Sequence, residues 1–376
     1  MDKIRILFTG DFCPHNRIEN LSCIGNFSAV FNDFMDVFAG NDLNVTDLEC
    51  PLTDLTIGRS KIGPLQKANP NSIRLLQYAG IGLAAMSNNH IMDYGEAGAS
   101  QTLENCKFTG IATVGIGTNE KDARRPFILH KKGQKIAILN FADNEFLTAP
   151  HGIIQANPIN EIHNFYDIQK ARLDNDRVIV IIHGGNEFYN LPSPRIKELY
   201  RYYVDIGADA IISHHTHRFS GYEVYNGKPI FYGLGNFIYD WPKRINSDWN
   251  IGFVVRLNIT KNIDFDIIPL KQGNDITGVF HLNEQEKKTF HKKLESLNSI
   301  IATDFKLEQE FQKYCESVYP MYDAFIEPYF GKVLTAIRKR GLFPKLMSKR
   351  KRLLLLNIIR CASHRDVLLN LLKKYE

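Results

Sequence analysis

With 376 residues, 44% hydrophobic and 23% charged, the chain is long enough for one large domain or two and has a globular make-up, which excludes a disordered or collagen-like chain. Its net charge of +5 hides an asymmetry: residues 331–376 hold 13 Lys and Arg against 2 Asp and Glu, leaving 33 against 39 in the remainder. The body is therefore mildly acidic, no motif marks a nucleic-acid-binding protein, and no apolar run approaches the roughly 18 residues that a membrane helix needs.

The first residues, Met1-Asp2-Lys3-Ile4-Arg5, are too charged for a secretory leader and run into a strand pattern, so the cytoplasm is the expected compartment. Six cysteines (13, 23, 50, 106, 315 and 361) lack any CxxC spacing and read as free thiols. Residues 4–9 form an apolar run ending in Gly10-Asp11, the pattern of a buried strand and a turn. Similar runs at 135–140, 177–182, 208–212 and 229–232 predict further strands, with a less regular one at 253–259. Helical patterns at 72–79, 99–107 and 193–206 lie among them, and strands alternating with helices imply an α/β fold. From about residue 281 the chain turns helical and then basic, which places a boundary near 275, between a body of residues 1–275 and a helical region of residues 276–376.

Five places carry metal-capable residues directly after a strand pattern, where ligands of α/β proteins bind. They are Gly10-Asp11; Asp47-Leu48-Glu49-Cys50-Pro51; Asn88-Asn89-His90-Ile91-Met92-Asp93; His183-Gly184-Gly185-Asn186-Glu187; and Ser213-His214-His215-Thr216-His217. The last is the strongest local signal: in extended backbone His215 and His217 would point to one side and reach one centre. Asp11, Glu49, Asn89, His183, His215 and His217 together make a mixed nitrogen and oxygen set. It lacks thiolates and is too rich in histidine for a magnesium or calcium cage, so one or two Mn, Fe or Zn ions fit best. A carboxylate shared by two ions about 3.5–4 Å apart suits in-line attack on a phosphoryl group.

The order of these motifs, closed by Gly233-Leu234-Gly235-Asn236-Phe237, resembles the CapA family of capsule and poly-γ-glutamate synthesis, within the calcineurin-like metallophosphoesterases. The resemblance spans roughly residues 3–270 and implies a four-layer α/β sandwich of the metallophosphoesterase type. It implies that Asp11 and His217 hold one metal, that Asn89, His183 and His215 hold a second, and that Glu49 bridges them. His90 would act as the acid toward the leaving group, oriented by Asp93, and Glu187, His214 and Asn236 are expected at the substrate. Two positions depart from the pattern: Cys13 stands where phosphoesterases carry a histidine, and Gly184 where the family carries an aromatic residue.

The function expected is a metal-dependent hydrolase acting on a phosphoester or an anionic polymer precursor in cell-surface polymer biosynthesis. The alternative is a non-catalytic assembly or export factor that keeps the fold. The tail leaves two readings open. The basic run at 345–352 beside the apolar run at 353–359 has the pattern of an interfacial anchor, which would place the protein peripherally at the inner membrane. The same leucines and isoleucines also recur at the spacing of a packed helix.

Overall fold

The computed structural model describes residues 2–61, 63–145, 147, 153–325, 331–340, 342, 346–360 and 372. They fall into two compact units, Met1–Leu307 and Glu308–Glu376. The first unit takes in strand Val279–His281 and helix Glu284–Ile301, both beyond residue 275.

The strands of the two large sheets of the first unit are, in chain order, β1 (Ile4–Cys13), β2 (Leu43–Leu48), β3 (Leu83–Ala85), β4 (Ala112–Val114), β5 (Phe127–Lys131), β6 (Gln134–Ala142) and β7 (Arg177–His183). There follow β8 (Ala210–His214), β9 (Tyr222–Tyr225), β10 (Lys228–Phe231), β11 (Asn236–Tyr239), β12 (Ile251–Ile259), β13 (Ile263–Gln272) and β14 (Val279–His281). One sheet runs β14-β13-β12-β1-β2-β3-β4, with β11 also paired to β1. The other runs β9-β10-β8-β7-β6-β5. Helices of this unit include α1 (Ile73–Tyr78), α2 (Gly95–Thr109), α3 (Glu161–Asp174), α4 (Pro194–Asp205) and α5 (Glu284–Ile301).

The two-residue period of β1 shows how the layers form. Ile4, Ile6 and Phe8 join a core with Ile138, Val180, Ile211 and Leu257, which fills the space between the sheets. Leu7, on the opposite face, joins Phe31, Phe34, Leu75 and Leu76 under the helical layer. In β7 the run from Val178 to Ile182 is buried throughout, as a strand covered on both faces must be. Ile168 of α3 and Tyr200 and Tyr203 of α4 belong to the first core. The result is the four-layer α/β sandwich. Each fully buried side chain of this kind stabilises it by roughly 1.5–3 kcal/mol. Local signals fix the helix starts: Ser193 accepts a hydrogen bond from Ile196 N, and Pro194 occupies the first turn of α4.

The second unit contains helices Lys332–Lys339 and Lys349–Arg360. In the latter, Leu353, Leu354, Leu356 and Ile359 are exposed. Lys345, Cys361 and the rest of the expected helical stretch beyond residue 360, apart from residue 372, lie outside the described residues. Among the described residues no helix is long and apolar enough to cross a membrane.

Candidate metal centre

Parallel strands bring the centre together at their carboxyl ends. In β1 and β2, Asp11 and Asp47 are register neighbours. Glu49 lies two residues beyond Asp47, on the same face, and its N–H donates to Phe12 O at 2.9 Å. Gly10 lets β1 approach the 235 turn, since a Cβ there would fall 1.9 Å from Gly235 O. From the second sheet, His183 ends β7 beside His214 at the end of β8.

The backbone after β8 differs from the extended run expected through residue 217. The strand ends at His214, and His215 (φ 87°) and His217 (φ 54°) adopt left-handed conformations. Two left-handed turns, rather than strand alternation, bring both rings to the centre. Such residues carry a strain of about 1–3 kcal/mol each, the kind of strain that accumulates at functional sites.

Two donor sets share Glu49: Asp11, Glu49 and His217 in one, and Glu49, His183 and His215 in the other. His183 Nε2 lies 3.0 Å from Asn89 Oδ1, 3.1 Å from His215 Nδ1 and 3.8 Å from Glu49 Oε1. His217 Nε2 lies 3.5 Å from Glu49 Oε1, and its Nδ1 lies 3.3 Å from Asp11 Oδ2. The six residues expected as ligands therefore converge. Cys13 and His15 join neither set; Cys13 Sγ is 3.1 Å from His15 Nδ1.

Behind the ligands stands a layer of oriented partners. Asp47 Oδ2 is 3.1 Å from His183 Nδ1, which directs Nε2 into the centre. His214 Nδ1 is 3.2 Å from Asp11 Oδ1, and Asn236 Oδ1 is 3.0 Å from His217 Nδ1. His214 and Asn236, expected at the substrate, are both buried beneath the ligands, whereas Glu187 is exposed near the rim. Asp143 fills the space beside Gly184: a Cβ there would lie 2.8 Å from its carboxylate, so the aromatic side chain of the family pattern has no room.

Electrostatics sets the character of this pocket. Burial pushes Glu49 well above the usual carboxylate range, reinforced by the charges of Asp11 and Asp47. Burial likewise raises Asp47. Burial also acts to raise Asp11, but the hydrogen bonds and charges of His214 and His217 outweigh it and hold Asp11 well below the usual range. Burial, then the charge of His183, pushes His215 down to about 3, and burial depresses His183 as well. Among the described residues, Asp11 Oδ2, Asp47 Oδ1 and both oxygens of Glu49 are buried without a hydrogen-bond partner. Three buried carboxylates with unsatisfied oxygens are costly, by several kcal/mol per ion, unless a cation joins them. The donor chemistry of the two sets fits divalent transition metals.

His90 lies beside the second set. Its Nδ1 is 2.7 Å from Asp93 Oδ2, and Asn88 Oδ1 accepts hydrogen bonds from His90 N at 3.2 Å and Ile91 N at 2.9 Å, fixing the turn. Lys61 enters from the loop before α1 with a buried side chain. It pairs with Asp93 and lies 3.2 Å from His90 Nδ1. Burial lowers the His90 pKa, Asp93 opposes this, and Lys61 adds to it.

Lys61 escaped the sequence reading, and Asp47, named in the second motif, was given no role in it. For Asp47 the signal was present, because it shares a strand face with Glu49. No periodicity or motif marks Lys61, whose loop is placed only by the tertiary fold.

The family described as "Bacterial capsule synthesis protein PGA_cap" matches residues 5–241. The chain is similar to the "PGA biosynthesis protein CapA" of Bacillus subtilis, 29% identical over 280 residues that cover 72% of each chain. It is 31% identical over 217 residues to the "Capsule biosynthesis protein CapA" of Bacillus anthracis, across 55% of this chain and about half (52%) of that relative's length. Among solved structures, a putative 5'-nucleotidase from Staphylococcus aureus aligns with a TM-score of 0.44 at 12% identity, over 78% of this chain and 58% of that one.

Proposed function

The chain belongs to the bacterial capsule synthesis protein PGA_cap family, and from that premise we propose that it is a metal-dependent hydrolase acting on phosphoester bonds during synthesis of an anionic cell-surface polymer. The observation that carries the reading is Glu49, buried between two histidine-bearing donor sets, with neither carboxylate oxygen hydrogen-bonded among the described residues. Asp11, Glu49 and His217 would hold one divalent cation, and Glu49, Asn89, His183 and His215 a second. Such cations supply charge that polarises a phosphoryl oxygen and lowers the pKa of water.

The chain's own groups do the rest. Asp47 holds the His183 Nδ1 proton, which keeps Nε2 a lone-pair donor. Asn236 and Asp11 fix the His217 ring. His90, with Asp93 on Nδ1, would hand a proton from Nε2 to a leaving oxygen. Lys61 neutralises Asp93 and locks the pair.

Elemental analysis of the purified protein, with turnover of p-nitrophenyl phosphate and bis(p-nitrophenyl) phosphate before and after chelation, tests the proposal. Bound Mn, Fe or Zn and turnover lost on chelation and restored by metal are expected. Turnover indifferent to chelation would refute it. One observation favours a second reading, a non-catalytic assembly factor: Cys13 occupies the position where phosphoesterases carry a histidine and lies outside both donor sets. Metal bound without turnover of any phosphoester would select that reading.

A further inference from the structure

The His217 side of the centre is walled by aromatic rings. The Trp249 ring centre lies 4.7 Å from that of His217, and the Phe188 ring centre 5.9 Å. Phe188 and Trp249 are 6.1 Å apart, and Trp241 meets Trp249 edge-on at 5.6 Å. Arg244 lies over this wall: its guanidinium carbon is 4.3 Å from the centre of Phe188, 5.0 Å from Trp249 and 5.6 Å from Trp241. The loop that carries it is tied down. Arg244 N donates to Trp241 O at 2.8 Å, Trp249 Nε1 donates to Tyr239 O at 2.9 Å, and Ser247 and Asn250 form a reciprocal cap.

Other partly shielded arginines of this unit have acceptors: Arg17 pairs with Asp240, Arg124 with Asp167 and Arg201 with Glu223, while Arg256 donates to Asn41 Oδ1 and Val37 O. Among the described residues, the Arg244 guanidinium meets no carboxylate and no hydrogen-bond acceptor; its partners are the three rings. Cation–π contacts engage the charge of a guanidinium without using its N–H donors, which leaves those donors available to grip a planar or tetrahedral anion at two points. Phe188, one of the rings beneath it, directly follows the exposed Glu187 at the rim.

We propose that Arg244 is the specificity-determining anion anchor of this site. It binds a carboxylate or phosphate of the substrate, one ring away from the group held at the metal centre. Resting on the hydrolase reading, this makes the substrate a polyanion with at least two anionic groups.

Isothermal titration calorimetry of the purified, metal-containing protein tests this without turnover, using a γ-linked glutamate trimer and inorganic phosphate as separate probes. R244Q should weaken binding of at least one probe about ten- to a hundredfold. R244K, which keeps the charge but loses the fork, should recover part of the loss. Near-UV circular dichroism verifies the fold of each variant, and the probe that responds identifies the anion. Wild-type affinity in folded R244Q would overturn the proposal, as would failure of the wild-type protein to bind either probe. A protein that binds through Arg244 yet hydrolyses no phosphoester would keep the anchor and remove the hydrolase reading.

Discussion

At the level of single residues, we propose that His90 moves a proton rather than holding metal, because its Nδ1 is engaged by Asp93 while the donor sets close without it. H90A should therefore cut turnover roughly 10²–10⁴-fold while bound metal stays near the wild-type level; loss of both together would show that His90 is a ligand or a structural residue. His15 gives a pH prediction. Burial lowers its pKa to about 4, so the folded state favours the neutral ring. That stability is full above the unfolded value near 6.5 and is lost as pH falls from there toward about 4. In urea titrations of chelated protein, H15Q should flatten the pH dependence in this window by up to about 1.4 kcal/mol per pH unit. Identical slopes in both proteins would contradict the assignment. Residue types and motif order made the six metal-capable residues that converge on Glu49 legible in sequence. The roles of Lys61, Asp143 and Arg244 were not legible, since each depends on a long-range approach: Asp143 on the space left by Gly184, Arg244 on rings from two separate segments.

At the scale of elements, the strands were readable because their apolar runs are short, sharply bounded and buried on both faces. β7 is the clearest case, and its histidine end was readable with it. The region after β8 was misread because the His-x-His pattern fits a strand, while the close packing of ligands demands left-handed turns at His215 and His217. The meeting of β1 with the 235 turn is a second geometric demand, visible only as an unremarkable Gly-Asp in sequence. G10A would drive its Cβ into Gly235 O and should destabilise the fold by about 1–3 kcal/mol. Because Asp11 follows directly, bound metal should fall as well. A wild-type urea midpoint in G10A would show that β1 can shift without consequence.

At the scale of the whole molecule, the acidic body and basic tail suggest different partners. In the helix Lys349–Arg360, Leu353, Leu354, Leu356 and Ile359 are exposed beside Lys349, Arg350 and Lys351. We propose that this helix lies on an anionic lipid surface, where each basic residue contributes about 1 kcal/mol. Sedimentation should show binding to anionic but not neutral vesicles, weakened by salt and abolished by truncation after residue 330; indifference to lipid charge would reject the anchor. The pocket in which Glu49 joins two donor sets is tested by an anomalous-scattering map from crystals grown with manganese. Density is expected in contact with Glu49, flanked by Asp11 and His217 on one side and by His183 and His215 on the other. A map with no peak at Glu49, from protein that retains manganese in solution, would contradict this expectation.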